Sequence, residues 1–119
     1  MILKERLPRA ARNRFEAAGI KAEQQPAHYL KRSFGDVKDV FVLNDLRVLR
    51  SGEVAQIDHL VIHRSGMVII ESKSVSTEIH VNRQHEFTRT FRGKRHGMAS
   101  PIEQAKRQTD LIRRLLEDH

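Results

Sequence analysis

Two apolar runs on either side of a short turn set the strongest constraint on this chain. Leu60-Val61-Ile62 and Met67-Val68-Ile69-Ile70 flank Arg64-Ser65-Gly66, the pattern of two strands joined as a hairpin. Their near-continuous apolar character predicts strands over 55–63 and 67–73 in a sheet covered on both faces. The longest uninterrupted apolar runs, Met67–Ile70 and Val40–Leu43, are four residues, far short of the roughly 20 that a membrane-spanning helix needs.

The flanking segments read as helices and shorter strands. Leu7, Ala11, Phe15 and Ala18 fall at helical spacing, so a helix is expected over 7–18 with Gly19 as its stop. A second helix is expected over 22–34, with Pro26 near its first turn and Gly35 at its end. Its inward stripe is Glu23, Ala27, Leu30 and Phe34, so Glu23 starts the buried face. Residues 37–48 are β-rich and broken at Asn44-Asp45, giving one long or two short strands. A smaller hairpin is expected over 78–82 and 86–91, followed by a loop at 92–99. Ser100-Pro101-Ile102-Glu103 is a capping box opening a last helix. On that helix Ile102, Ala105, Thr109, Ile112 and Leu116 form a buried stripe, widened by Leu111 and Leu115. The order predicts an α/β layered single domain over 1–119, with 1–18 as an N-terminal extension helix and 19–119 as the core.

Composition narrows the function classes. The chain has 119 residues and no Cys, which excludes disulfide scaffolds, thiol nucleophiles and zinc ribbons within it. Aromatics are only 5%, too few for a module that binds single strands mainly by stacking bases. The net charge of +7 suits a polyanionic partner. It is unevenly spread: 1–22 carries +4, 36–75 carries −1 and 76–119 carries +3. A neutral or acidic centre between basic flanks fits a metal-dependent site framed by phosphate-steering surface, although solubilising charge is the plainer alternative. The N-terminus is charged too early for a secretory signal, so a cytoplasmic location is expected.

The hairpin brings chemistry together. With a two-residue loop at Ser65-Gly66, Asp58 faces Lys73 and Leu60 faces Glu71. Side chains alternate, so Asp58, Leu60, Ile62, Met67, Ile69, Glu71 and Lys73 then share one side. Asp58 and Glu71 become diagonal neighbours at roughly 7–8 Å, close enough for both carboxylates to reach one cation. A three-residue loop puts Asp58 on the other face. The competing reading is a plain salt bridge of Lys73 with Asp58 or Glu71. Gln56 shares the Asp58 face and is a candidate supporting residue. Gln104 lies on the stripe Gln104, Gln108, Leu111, Leu115 and points inward. Arg83, Arg89, Arg92, Lys94 and Arg95 give the small hairpin and its loop a candidate DNA-backbone surface, with a solvated loop as the alternative. His59 and His63, four apart on a strand, read as packing or surface histidines.

Asp58 followed by Glu71-Ser72-Lys73 resembles the Asp…(Asp/Glu)-x-Lys core of the restriction-endonuclease-like nuclease superfamily. More specifically, Gly19-Ile20-Lys21-Ala22-Glu23, Gln56-Ile57-Asp58-His59, Ser65-Gly66, Ile70-Glu71-Ser72-Lys73 and Pro101-Ile102-Glu103-Gln104 resemble the nuclease-related domain, NERD, over about residues 19–116. The resemblance implies a restriction-endonuclease-like core, a mixed central sheet flanked by helices, and a metal-dependent endonuclease acting on DNA, with RNA left open. It implies Asp58, Glu71 and the Ser72 carbonyl as ligands of Mg2+ or Mn2+, with Glu23 as a further ligand directly or through water. Lys73 would orient or deprotonate the attacking water, and Gln104 would bind phosphate or that water. Glu23 and Gln104 each have a plainer alternative: a helix-dipole carboxylate and a satisfied buried amide. Ala22 stands where the family usually has a second Gly, and Ser74 where it commonly has Asn. The family's closing strand after the last helix is also missing, which suggests a fragment of a longer multidomain protein with an open edge available for pairing between copies. The main alternative function is a non-catalytic or accessory nucleic-acid-binding domain; a structural interaction domain is a third.

Overall fold

The computed structural model describes residues 1–75 and 77–119. Strand β1 (Ile2–Lys4) precedes helix α1 (Arg14–Phe34); then come β2 (Phe41–Arg50), β3 (Glu53–His63), β4 (Gly66–Ile70), β5 (Ile79–Val81), β6 (Phe87–Phe91), β7 (Lys94–Met98) and helix α2 (Pro101–Glu117). The molecule is α+β, with a four-stranded sheet ordered β1-β2-β3-β4 and a separate three-stranded sheet ordered β5-β6-β7. The larger sheet is mixed, as expected, because β1 runs parallel to β2 while the other pairs are antiparallel. No helix among the described residues is long and apolar enough to cross a membrane.

The N-terminal third differs from its sequence pattern. No separate helix forms over 7–18: residues 7–13 are not helical and 14–18 are the first turns of α1, while Leu7 and Phe15 of the expected stripe are 63% and 70% exposed. Instead the chain starts as β1, and the Met1 ammonium donates to the carbonyls of Phe34, Val37 and Val40. Helix α1 then runs unbroken through Gly19 and Pro26. It is opened by Asn13, whose side chain accepts the Glu16 N–H at 2.9 Å, and closed by Gly35, whose N–H reaches the Lys31 carbonyl at 2.8 Å. Gly19 does not stop the helix: it sits inside α1, where a Cβ would meet open space, so it costs only the low helix propensity of glycine.

Strand β2 is one continuous strand shifted toward the C-terminus of the expected 37–48, β3 starts two residues before the expected 55, and the two meet in a tight turn at Ser51-Gly52. Both turn residues have positive φ (48° and 81°), the conformation that matches the twist of a two-residue hairpin. The ladder pairs Asn44 with His59 and Leu46 with Ile57; between them Asp45 and Asp58 interrupt it, and Asp45 takes φ 54°. Ile57 and Leu60, which a regular strand sends to opposite faces, both join Val48 and the α2 residues Leu111 and Ile112 in one core cluster. The change of side therefore falls at the carboxylate pair.

Helix α2 is capped as expected, with Ser100 Oγ accepting the Glu103 N–H at 3.2 Å. Of the residues expected to face inward, Gln108, Leu111 and Ile112 are buried, while Ile102 and Leu116, at the ends of the wider stripe, are 56% and 55% exposed. The helix packs across β2, β3 and β4, and α1 packs on β2. Residues 92–99, expected as a loop, mostly form β7, reached through a turn at Arg92-Gly93 with φ 51° and 74°.

Candidate functional site

The β3–β4 hairpin closes with the pair His63 and Gly66, so its two-residue turn is Arg64-Ser65 rather than Ser65-Gly66. Leu60 opposes Ile69, not Glu71. The even loop preserves the expected side-chain parity, but the register moves one step and brings Glu71, not Lys73, level with Asp58. Strand β4 ends at Ile70, leaving Glu71-Ser72-Lys73 just beyond the ladder. That irregular backbone turns the Ser72 N–H onto Asp58 Oδ2 at 2.9 Å.

Asp58 and Glu71 line one cavity of about 780 Å³ with Gln56, Gln104, Arg107 and Gln108. Burial pushes the Asp58 carboxyl from 3.8 up to about 6; the charges of Glu71 and Glu23 push the same way, against the Ser72 N–H and the Lys73 ammonium. Glu71 is held from two sides. Lys73 Nζ lies 3.4 Å from Glu71 Oε1, and Gln108 Nε2 donates to Glu71 Oε2 at 3.1 Å and to the Gln56 carbonyl at 2.9 Å. The Lys73–Glu71 salt bridge, one of the two pairings weighed from sequence, is thus present.

The other expected site residues are arranged differently. Glu23 faces inward on α1 but is held by Arg6 at 3.0 Å and Arg9 at 2.9 Å, and it does not line the Asp58 cavity. Among the described residues, no group of three or more His, Asp or Glu side chains converges as a metal cage. Gln104 does line the cavity, with its Oε1 buried and without a partner among the described residues. The Gln56 side chain turns to Asp45 at 2.8 Å, so only its backbone carbonyl supports the site.

The expected basic surface is divided. Pairing of Arg89 with His96 and of Phe91 with Lys94 puts Arg89, Phe91 and Lys94 on one face of the small sheet, while Arg95, opposite Thr90, is on the other. Arg92 stacks over Phe91 at 5.3 Å and so joins the first face. Arg83 sits at the opposite end, in the β5–β6 turn.

Sequence reasoning missed Gln108 as a site residue, although it lies one turn beyond Gln104 on the same inward stripe. It also missed Arg6 and Arg9, which no local pattern connects to Glu23. His59 is fully buried, as a packing residue would be, yet both ring nitrogens have polar partners, Asn44 and Ser72.

A mixed sheet with a helix laid across it, and an Asp58, Glu71, Lys73 set at the end of its hairpin, define a nuclease-like α+β architecture. The family model for the nuclease-related domain matches residues 18–119, and the chain belongs to that family. No curated protein and no solved structure matches it.

Proposed function

We propose that the chain is a metal-dependent nuclease domain that hydrolyses DNA phosphodiester bonds, with RNA left open as a substrate. The observation that carries this reading is that Asp58 and Glu71 face one cavity, with Lys73 3.4 Å from the second carboxylate. The donor set suits a hard divalent cation: two carboxylates suffice for Mg2+, which keeps several of its waters. Burial and, after it, the Glu71 charge raise the proton affinity of Asp58, which a cation bound at the two carboxylates would lower. Buried Oε1 atoms of Gln104 and Gln108, both without partners, add acceptors on the same side of the helix.

Mg2+ or Mn2+ would be held by Asp58 and Glu71, with the Ser72 carbonyl as a third oxygen. The ion would supply Lewis-acid stabilisation of phosphoryl charge. Lys73 orients the attacking water and steadies negative charge as it develops on the phosphoryl oxygens. Gln104 positions that water or a non-bridging oxygen from α2. Gln108 holds Glu71 in place while remaining bonded to β3. A cytoplasmic location belongs to the same reading, as does pairing of copies along β4, an edge strand of the larger sheet.

A second reading, a non-catalytic nucleic-acid-binding domain, draws on the ion pairs that already occupy Glu71 and Glu23. Thermal melting with Mg2+ and Mn2+, together with cleavage assays on plasmid, linear duplex, single-stranded DNA and RNA, separates the two. Metal is expected to raise the melting temperature of the parent and of Lys73→Ala, but not of Asp58→Asn. Both variants should lose cleavage, Lys73→Ala by about 10²-fold or more. Salt-sensitive DNA binding without metal-linked stabilisation supports the second reading. Cleavage by both variants at the parent rate rules out the first.

A further inference from the structure

Asn44 and His59 are paired across β2 and β3 and are 1% and 0% exposed. Asn44 Nδ2 donates to the Lys4 carbonyl at 3.2 Å. A carbonyl only accepts, so the orientation of the Asn44 amide is set and its Oδ1 faces His59 Nδ1, at 2.8 Å. An amide oxygen likewise only accepts, so Nδ1 carries the imidazole proton. Nε2 lies 3.3 Å from Ser72 Oγ, so the ring bridges Asn44 and Ser72.

Ser72 lies beyond β4 and has no ladder partner. Among the described residues its hydrogen bonds are the one to His59 and the one from its N–H to Asp58 Oδ2. The geometry points to His59 as a positioning residue: through the Ser72 hydroxyl it holds the backbone whose N–H fixes the Asp58 carboxylate. With both ring nitrogens engaged, His59 has no lone pair free for a metal. The relay starts outside the matched domain. Lys4 belongs to β1, before residue 18, and its ammonium also reaches the carbonyls of Asn44 and Asp45 at 3.0 and 2.8 Å. The N-terminal strand therefore anchors the far end of the chain of bonds that terminates at Asp58. Its consequence for catalysis rests on the proposed metal-dependent hydrolysis; its geometry does not.

His59→Ala would leave a void at a fully buried site, so Ser72→Ala, at a half-buried one, tests the same link more cleanly. Three measurements on the full chain decide it: imidazole 15N shifts of His59, hydrogen exchange at the amide of residue 72, and Mn2+ titration calorimetry. A His59 ring protonated on Nδ1 is expected in the parent. In Ser72→Ala, protection of amide 72 should be lost while that of the core residue Val61 is kept, and Mn2+ should bind about 10- to 100-fold more weakly. A ring protonated on Nε2 alone, or amide 72 equally protected in both proteins, overturns the positioning role. Equal Mn2+ affinity in parent and variant also overturns it and leaves the hydrolytic reading standing. If the parent binds no Mn2+, the hydrolytic reading fails, and the nitrogen shifts and exchange still decide the role of His59.

Discussion

Gln108 Nε2 donates to both the Glu71 carboxylate and the Gln56 carbonyl, at 3.1 and 2.9 Å, and so ties α2 to both strands of the site hairpin. One amide group serves the two partners. Gln108→Leu keeps most of the volume but removes the donor shared by Glu71 and the Gln56 carbonyl in a part-buried setting, a loss of about 1 kcal/mol. Gln104→Ala should cost less, because the Gln104 Oε1 has no partner to lose. Chemical denaturation of the two variants checks the order. Equal losses would mean that the Gln108 bonds contribute little.

The Asp58 carboxyl predicts a pH dependence of stability. Its folded value, about 6, lies above the unfolded 3.8, so the folded state binds the proton more tightly. The stabilisation from this proton is full below about 3.8 and is lost as pH rises through about 6. Without metal, Asp58→Asn should therefore melt higher than the parent at pH 7, and the gap should close on acidification toward pH 4. Asn keeps an oxygen to accept the Ser72 N–H, so that bond is not the variable. A parent that melts as high as Asp58→Asn at pH 7 contradicts the strained carboxylate.

How far the site could be read from sequence depended on which interactions were local. Ser100 and Pro101 mark the start of α2 within four residues, and the structure keeps that start. Asp58 and Glu71 fall on one side for any even loop, so their shared face was readable. The register was not, because Arg64-Ser65 and Ser65-Gly66 are both two-residue loops, and only the pairing of Gly66 with His63 separates them. Strand β1 was invisible because its partner Val42 lies 40 residues from Ile2 and three residues carry no periodicity. Gln108 was on the inward stripe, but its bond to Glu71 depends on how α2 docks.

On the proposed function, the split of the basic residues predicts a DNA affinity carried by one face. Arg89, Arg92 and Lys94 share one face of the small sheet with Phe91, whereas Arg95 and Arg83 do not. Neutralising Arg89, Arg92 and Lys94 together should weaken binding to all sequences. It should also flatten the log–log salt dependence by about 0.9 for each phosphate that is no longer neutralised. The Arg83→Ala/Arg95→Ala pair should change both quantities much less. The reverse order would move the DNA-binding surface to the other face.

Glu23 separates a ligand role from an anchoring one. Its carboxylate is largely buried and held by Arg6, equally buried, and by the more exposed Arg9. Two guanidinium groups already neutralise it, so a cation at Asp58 and Glu71 would have to compete with both for this side chain. Glu23→Gln should therefore destabilise the fold by about 1.5–3 kcal/mol, the range for hydrogen bonds to charged groups. Mn2+ affinity should stay at the parent value. Arg6→Ala should destabilise as well, since it leaves the carboxylate with Arg9 alone, whereas Arg9→Ala should cost less because that side chain is 48% exposed. Calorimetric titration with Mn2+ beside denaturation curves for the three variants tests this. A large loss of Mn2+ affinity in Glu23→Gln, joined to a gain in Arg6→Ala, would show that Glu23 leaves its arginines to bind the metal.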